Sequence, residues 1–179
     1  MTKGRRALYA TNEVVNSIAK LDGRTGELVW EIPIGDRPSE ILVTPSGRKA
    51  FVSVRNENTI KVVDVARVTP VVVGEALVGT QPDTLSLTPD GRTLVVGLRG
   101  TPATMALVDT RSLSVRHVSL TGSTTGHQWL SADGRYTFIA VESPGGVATV
   151  HNRAGEQIEF YPYPGGATRP HGVFFDSRR

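Results

Sequence analysis

The side chains with the greatest capacity for chemistry follow a recurring Gly-x-x-Pro motif. The motif spans residues 35–38 and 79–82, recurs more loosely from Gly166 to Pro170, and has Thr125 in place of proline after Gly122. The two residues after each copy, taken in chain order, are Ser39-Glu40, Asp83-Thr84, Gly126-His127 and His171-Gly172. Two acids and two imidazoles that converged would form either a divalent metal site or an acid–base pair.

Alternation along a strand argues against that convergence. Asp83 and His171 occupy one aligned column, whereas Glu40 and His127 occupy the next, and successive strand residues face opposite sides. The favoured interpretation is therefore a set of polar side chains at the mouth of a channel, bonded to water or to neighbouring turns. The residues predicted to bind a ligand there are Glu40, Asp83, His127, Arg169 and His171, of which His127 and His171 are the candidates for catalysis.

Two further groups are predicted to be structural. His151 stands where other repeats have an aspartate at the end of a strand, which predicts that it stabilises a turn. Arg48, Arg92 and Arg135 recur directly after a turn glycine, which predicts solvent-exposed turn residues.

The elements that position these residues repeat along the chain. Pro-Ser-Gly-Arg at 45–48, Pro-Asp-Gly-Arg at 89–92 and Ala-Asp-Gly-Arg at 132–135 are each followed by an alternating apolar segment. The aligned glycines are Gly4, Gly47, Gly91 and Gly134, so the steps are 43, 44 and 43 residues. A glycine in a tight turn supplies the positive φ that a hairpin requires. The repeats are predicted to span approximately 4–46, 47–90, 91–133 and 134–179.

Each repeat contains four short strands. A second strand ends at Asp22, Asp64 or Asp109, and a column of small residues in the strand before it consists of Ala10, Ser53, Gly97 and Ala140. Four strands in roughly 40–45 residues are typical of a propeller blade. The sequence thus predicts an all-β protein, a β-propeller of about four four-stranded antiparallel blades in a single domain over residues 1–179.

The segment Tyr9-Ala10-Thr11-Asn12, the Pro-Asp-Gly-Arg turns and the strands ending in aspartate resemble the repeats of the YVTN family of lactonase-like propellers. The resemblance covers almost the whole chain. It implies a propeller that usually has about seven blades, and it favours a periplasmic or extracellular location, although this chain shows no signal peptide. Arg169-Pro170-His171-Gly172 resembles the Pro-His-Gly segment of propeller lyases and, less closely, the Pro-Arg-His segment of lactonases, but only one copy is present.

Three arrangements of the blades remain open. The chain is part of a longer propeller, or it closes as a four-bladed ring, or two chains form a homodimer that completes a larger ring. A last strand is predicted at 173–176, and in a closed ring it would complete the first blade.

Composition excludes several classes of protein. The net charge of +3 comes from basic residues that are scattered rather than clustered, which argues against nucleic-acid binding. The absence of cysteine excludes disulfides and thiolate metal sites, and no segment approaches the roughly 18 apolar residues of a membrane helix.

Two functions remain. The leading one is a non-enzymatic scaffold that binds a protein, peptide or saccharide and needs no cofactor; the alternative is a lactonase- or lyase-like enzyme that uses His171, His127 and nearby acids around a divalent metal.

Overall fold

Antiparallel sheets of short strands are the main structure of the described part of the chain. The computed structural model describes residues 7–166 and 170. Its first sheet has three strands, β1 (Ala7–Asn12), β2 (Ser17–Asp22) and β3 (Leu28–Pro33). The predicted fourth strand at 173–176 and the aligned Gly4 lie outside the described residues.

Three four-stranded sheets follow in chain order. The second consists of β4 (Pro38–Val43), β5 (Lys49–Val54), β6 (Thr59–Asp64) and β7 (Val71–Leu77); the third of β8 (Pro82–Leu87), β9 (Thr93–Leu98), β10 (Thr104–Asp109) and β11 (Val115–Ser119); the fourth of β12 (Thr125–Leu130), β13 (Tyr136–Glu142), β14 (Gly145–His151) and β15 (Glu156–Pro162). Short 3₁₀ helices occur at Arg55–Glu57 and Pro164–Gly166. The prediction of an all-β protein built from blades is confirmed.

Glycine turns join the first and second strands of each complete blade. Gly47, Gly91 and Gly134 have φ of +69°, +69° and +70°, a backbone conformation that residues other than glycine rarely adopt. The backbone N–H of each glycine donates to a carbonyl three residues earlier, at 2.8 to 2.9 Å. This turn explains why the Gly-Arg motif recurs with the period of the blades.

The core lies between the blades, which stack face to face. Alternating residues of β5 point to opposite neighbours: Val52 packs in the layer shared with the first blade, and Phe51 in the layer shared with the third. Both are at most 1% exposed. A third layer joins the third and fourth blades around Met105 and Ile139. Burial on both faces explains why the second strands carry apolar residues at nearly every position.

The sheet faces at the two ends of this row are only partly covered. Leu8 on β1 points away from the second blade and is 47% exposed, whereas Ala50, its equivalent in β5, is fully buried. Tyr161 on β15 points away from the third blade and is 52% exposed. Substantial contacts between the described sheets join consecutive blades.

The strand register corrects one column of the sequence alignment. Ile18, Ile60, Met105 and Val147 pair with Thr11, Ser53, Gly97 and Ala140 respectively. Thr11, and not Ala10, therefore occupies the column of small residues in the first blade. An alignment anchored on Gly4 and Gly47 uses a step of 43 residues between the first two blades. The step between the structurally equivalent Thr11 and Ser53 is 42 residues, so the alignment is displaced by one. No helix among the described residues is long and apolar enough to cross a membrane.

Candidate functional site

Each inner strand carries the same irregularity where the predicted site residues lie. The pairing of β4 with β5 shifts register between Pro38 and Ile41, that of β8 with β9 between Pro82 and Leu85, and that of β12 with β13 between Thr125 and Gln128. The residues inside these β-bulges are Ser39-Glu40, Asp83-Thr84 and Gly126-His127. A bulge re-aims side chains and interrupts the strict alternation of a strand. Alternation therefore cannot decide which of these side chains converge.

Hydroxyl groups of the small-residue column hold two bulges in place. Thr11 donates its Oγ1 hydrogen to the carbonyl oxygen of Ser39 at 2.8 Å, and Ser53 donates to the carbonyl oxygen of Asp83 at 2.9 Å. In each case the donor belongs to one blade and the bulge to the next. The column is small because the inner strand of the neighbouring blade lies directly against it.

The carboxylate of Asp83 is the most heavily bonded group of the site. It accepts hydrogen bonds from the Ser39 hydroxyl, from Arg55 Nη2, and from Arg99 Nη1 at 3.2 Å. Burial alone would raise the pKa of Asp83, but the hydrogen bonds from Arg55 and Ser39, with the nearby guanidinium charges, outweigh it and hold the pKa below its usual value. Asp83 is therefore an ionised carboxylate that is bonded to two arginines and a serine.

These contacts extend into a line of alternating charges across four blades, here termed the ion-pair chain: Glu13, Arg55, Asp83, Arg99 and Glu142. Arg55 Nη1 lies 3.9 Å from Glu13 Oε2, and Arg99 Nη2 lies 3.1 Å from Glu142 Oε1. Sequence reasoning missed four of the five members. A signal was present, since the four others share one structural position. Each stands two residues after the small-residue column of its blade, and they are Glu13, Arg55, Arg99 and Glu142.

Glu40 connects two blades in a different way. Its Oε2 accepts a hydrogen bond from the backbone N–H of Leu85 at 2.8 Å. Burial raises the pKa of Glu40, the hydrogen bond from Leu85 lowers it, and the charge of Asp83 raises it, with a net upward shift. Glu40 and Asp83 thus lie close enough to interact, yet each carboxylate is committed to different donors.

Of the two histidines predicted for the site, the structure describes one. His127 lies in the bulge of β12 with an exposed side chain. Arg169 and His171 lie outside the described residues. Among residues 7–166 and 170, no three His, Asp or Glu side chains are grouped as metal ligands would be, so Glu40, Asp83 and His127 do not form such a set. Because Asp83 is occupied by two guanidinium groups, its donor atoms do not suit a divalent metal.

A polar groove, here termed the mouth groove, opens beside the ion-pair chain between the first two blades. Its volume is about 330 Å³, and its lining residues are Thr11, Glu13, Pro38, Ser39 and Arg55. It therefore presents a carboxylate, a guanidinium and two hydroxyl groups on a rigid framework, which can recognise a polar ligand.

The prediction for His151 is confirmed. Its Nδ1 accepts a hydrogen bond from the backbone N–H of Ala154 at 3.1 Å. Asp22 and Asp109 accept the equivalent bonds in their own turns, from Thr25 and Ser112, both at 2.8 Å. Imidazole nitrogen replaces carboxylate oxygen as the acceptor that closes the turn.

Four consecutive antiparallel sheets, stacked face to face with their first strands inward, define a β-propeller protein. The model of the family described as "Lactonase, 7-bladed beta-propeller" matches residues 2–112, which is more than half of the sequence. The chain therefore belongs to this family.

Among solved structures, the chain is similar to hydrazine synthase of Kuenenia stuttgartiensis, with a TM-score of 0.82 and 22% sequence identity. The alignment covers 88% of this chain and 46% of that one, so the chain spans about half the length of the structure that it matches. At this identity the likeness shows the fold alone. No curated protein matches the sequence.

Proposed function

We propose that the chain is a non-enzymatic propeller scaffold of YVTN repeat type, which binds a protein, peptide or saccharide in the mouth groove. The observation that supports this most is the state of Asp83. Its carboxylate is bonded to Ser39, Arg55 and Arg99. An acid held in this way joins blades together, and its oxygens are already bonded to two guanidinium groups and a hydroxyl, which disfavours a role in proton transfer or metal binding.

The chemistry of the mouth groove supports a polar ligand. Glu13 has a side chain that is 52% exposed, so its carboxylate can accept hydrogen bonds from hydroxyl or amide groups of a ligand. Ser39 and Thr11 lie on opposite walls and are joined through the Ser39 carbonyl, which keeps the width of the groove fixed. A pre-formed groove on a rigid scaffold avoids the entropy cost of ordering a binding site.

A glycan array and a peptide array would test this proposal. The labelled wild-type chain should bind a subset of probes, and Glu13→Gln should weaken that binding while Glu75→Gln, on the exposed outer strand β7, should not. Binding that survives Glu13→Gln, or the absence of binding to every probe, would count against the mouth groove as the site.

A lactonase- or lyase-like enzyme is the second candidate. The family description and the exposed imidazole of His127 in an inner-strand bulge favour it, and His171 and a divalent metal would belong to the same hypothesis. The test is lactone hydrolysis measured with a pH indicator, in EDTA and with added Ca²⁺, Mn²⁺ or Zn²⁺. Metal-dependent turnover that His127→Asn abolishes would establish the enzyme and displace the scaffold.

A second copy of the chain is the partner that we propose for the exposed sheet faces. The family is described as seven-bladed, whereas the described residues form four sheets. The partly exposed Leu8 and Tyr161 lie on the two end faces, where further blades of a larger ring would pack. Light scattering tests this: a dimer that Leu8→Lys dissociates is expected, and a monomer at high concentration would refute it.

A further inference from the structure

A second groove, here termed the turn-face groove, opens between the third and fourth blades on the face opposite the mouth groove. Its volume is about 560 Å³. Four arginines contribute to its lining, namely Arg92, Arg116, Arg135 and Arg153. Two of them belong to the recurring turns, whereas Arg116 comes from the outer strand β11 and Arg153 from the turn after β14.

Comparison of the blades shows how this groove is built. Gly74 on β7 and Arg116 on β11 are equivalent, since they pair with the equivalent residues Val62 and Leu107. Leu113 of the next blade packs closely against Gly74. A Cβ added to Gly74 would lie only 2.9 Å from Leu113 Cδ1.

One blade further along, the large and the small residue are exchanged. Gly155 occupies the position of Leu113, as both donate a backbone hydrogen bond to the residue four positions earlier and both have positive φ, +71° and +60°. A Cβ on Gly155 would collide with the guanidinium of Arg116. An apolar contact between the second and third blades is thus replaced by a guanidinium between the third and fourth.

The charge of Arg116 is held in place without an acidic partner. Its guanidinium donates to the backbone carbonyl oxygens of Asn152 at 2.8 Å, Ala154 at 2.7 Å and Arg153 at 3.2 Å. Within the described part of the chain, none of the four groove arginines lies within 4.0 Å of a carboxylate oxygen in an ion pair. Arg116 is thereby fixed as a positive charge whose Nη donors are used by carbonyl oxygens, and the other three arginines are left to donate hydrogen bonds to an oxyanion.

Three carboxylates also line the groove, from Asp90, Asp109 and Asp133. Each accepts hydrogen bonds from the backbone of its own turn: Asp90 from Arg92 N–H at 3.0 Å, Asp109 from Ser112 N–H at 2.8 Å, and Asp133 from Arg135 N–H at 3.0 Å. These bonds commit the carboxylates to their turns, and the lining as a whole carries four guanidinium groups against three carboxylates, an excess of one positive charge.

From this arrangement we infer that the turn-face groove binds a phosphate or sulfate group. A tetrahedral oxyanion presents oxygens in several directions, and guanidinium groups from two blades can each donate two parallel hydrogen bonds to it. The group can come from the free ion or from a sulfated saccharide, and both present the same chemistry. This site is separate from the mouth groove and does not depend on the function proposed for it.

Calorimetric titration would test the inference. The probes are sodium phosphate and a sulfated disaccharide, each added to the full chain at an ionic strength held constant with sodium chloride. Arg153→Gln and Arg92→Gln should each weaken binding by about tenfold, since each removes a charge-assisted contact. Arg48→Gln removes the equivalent turn arginine of the second blade, which does not line the groove, and should leave binding unchanged.

A double variant checks that folding is not the cause. In Arg116→Gly with Gly155→Leu, the third and fourth blades would take the packing that Gly74 and Leu113 have one blade earlier. This variant should remain folded and bind the oxyanion less tightly, since it removes the fixed charge of Arg116. Tighter binding of the disaccharide than of phosphate would identify a saccharide-borne group, and the reverse a free ion; both support the site. Binding that Arg48→Gln weakens as much as Arg153→Gln does, or binding no stronger than that of chloride, would overturn it.

Discussion

Replacement of Asp83 tests the ion-pair chain most directly, because this carboxylate lies at its centre. Asp83→Asn keeps the shape of the side chain and one carbonyl oxygen, but it removes the charge that faces Arg55 and Arg99. Each arginine then retains one acid: Arg55 keeps Glu13 at 3.9 Å, and Arg99 keeps Glu142 at 3.1 Å. The substitution therefore measures what the central carboxylate contributes beyond those outer pairs.

The expected loss follows from how exposed the partners are. Removal of one partner from a buried ion pair costs about 3–5 kcal/mol, whereas exposed pairs contribute about 0.2–1 kcal/mol. The side chains of Asp83, Arg55 and Arg99 are 10%, 21% and 27% exposed, which places the site between these limits. Because both arginines keep a second acid, we expect a loss of about 2 kcal/mol in the free energy of unfolding.

Urea denaturation followed by the fluorescence of Trp30 and Trp129 would measure this loss. Glu13→Gln is the matched control, because Glu13 is the exposed end of the ion-pair chain. Its replacement should lower the free energy of unfolding by less than about 1 kcal/mol. A loss for Asp83→Asn no greater than that of the control would refute the reasoning, since the central carboxylate would then contribute no more than a surface charge.

The pH dependence of the free energy of unfolding gives an independent check that the charge of Asp83 stabilises the fold. The pKa of Asp83 is lowered in the folded protein, since the hydrogen bonds from Arg55 and Ser39 and the guanidinium charge outweigh the effect of burial. A lowered pKa stabilises the fold above the unfolded value of about 3.9, and this stabilisation is lost as the pH falls through the folded value. The difference in stability between wild type and Asp83→Asn should therefore stay constant from pH 7 to about pH 5 and close at lower pH.

Three further outcomes are expected, all measured by urea denaturation. Gly97→Ala should cost about 1–3 kcal/mol, because the added Cβ would collide with the Thr84 hydroxyl oxygen, and Thr84→Ala in the same chain should restore most of that loss. Glu40→Gln should stabilise the fold at pH 7, because burial and the charge of Asp83 raise the pKa of Glu40; ionisation then costs stability as the pH rises, so the gain should vanish towards pH 4. Asn152→Ala should cost about 1–3 kcal/mol, because a buried hydroxyl and a carbonyl lose their partner; an unchanged midpoint would contradict this.

The fold could be predicted from the sequence because every blade repeats the same local physics. A turn glycine with positive φ, an alternating strand and an acceptor at the strand end occur in each repeat, so errors in one copy are corrected by the others. The error at Ala10 concerns the first blade, where the alignment was anchored on Gly4, a residue outside the described part of the chain. A pattern based on strand pairing, in which Thr11 opposes Ile18, would have avoided it.

The sequence predicted where the candidate residues lie in the strands, but not which side chains they contact. The motif pointed to the bulges that hold Glu40, Asp83 and His127, and those bulges do lie together at the inner edge of the sheets. The three partners of Asp83 stand 16, 28 and 44 positions away in the sequence, so no local pattern reveals them. Long-range ion pairs of this kind depend on how the blades stack, which the sequence of a single repeat does not specify.

Residues that recur and residues that depart from the repeat carry different information. Arg48, Arg92 and Arg135 recur after the turn glycine, and recurrence alone predicts only exposed turn residues. The exchange of a leucine–glycine contact for the pair Arg116 and Gly155 happens in one place, and it places a fixed positive charge beside two of those turn arginines. In the proposed oxyanion site the turn arginines differ in role according to their neighbours, which is why Arg48 is a fair control for Arg92. In a chain built from repeats, a candidate site is best sought where paired departures from the repeat change the chemistry of an interface that is otherwise apolar.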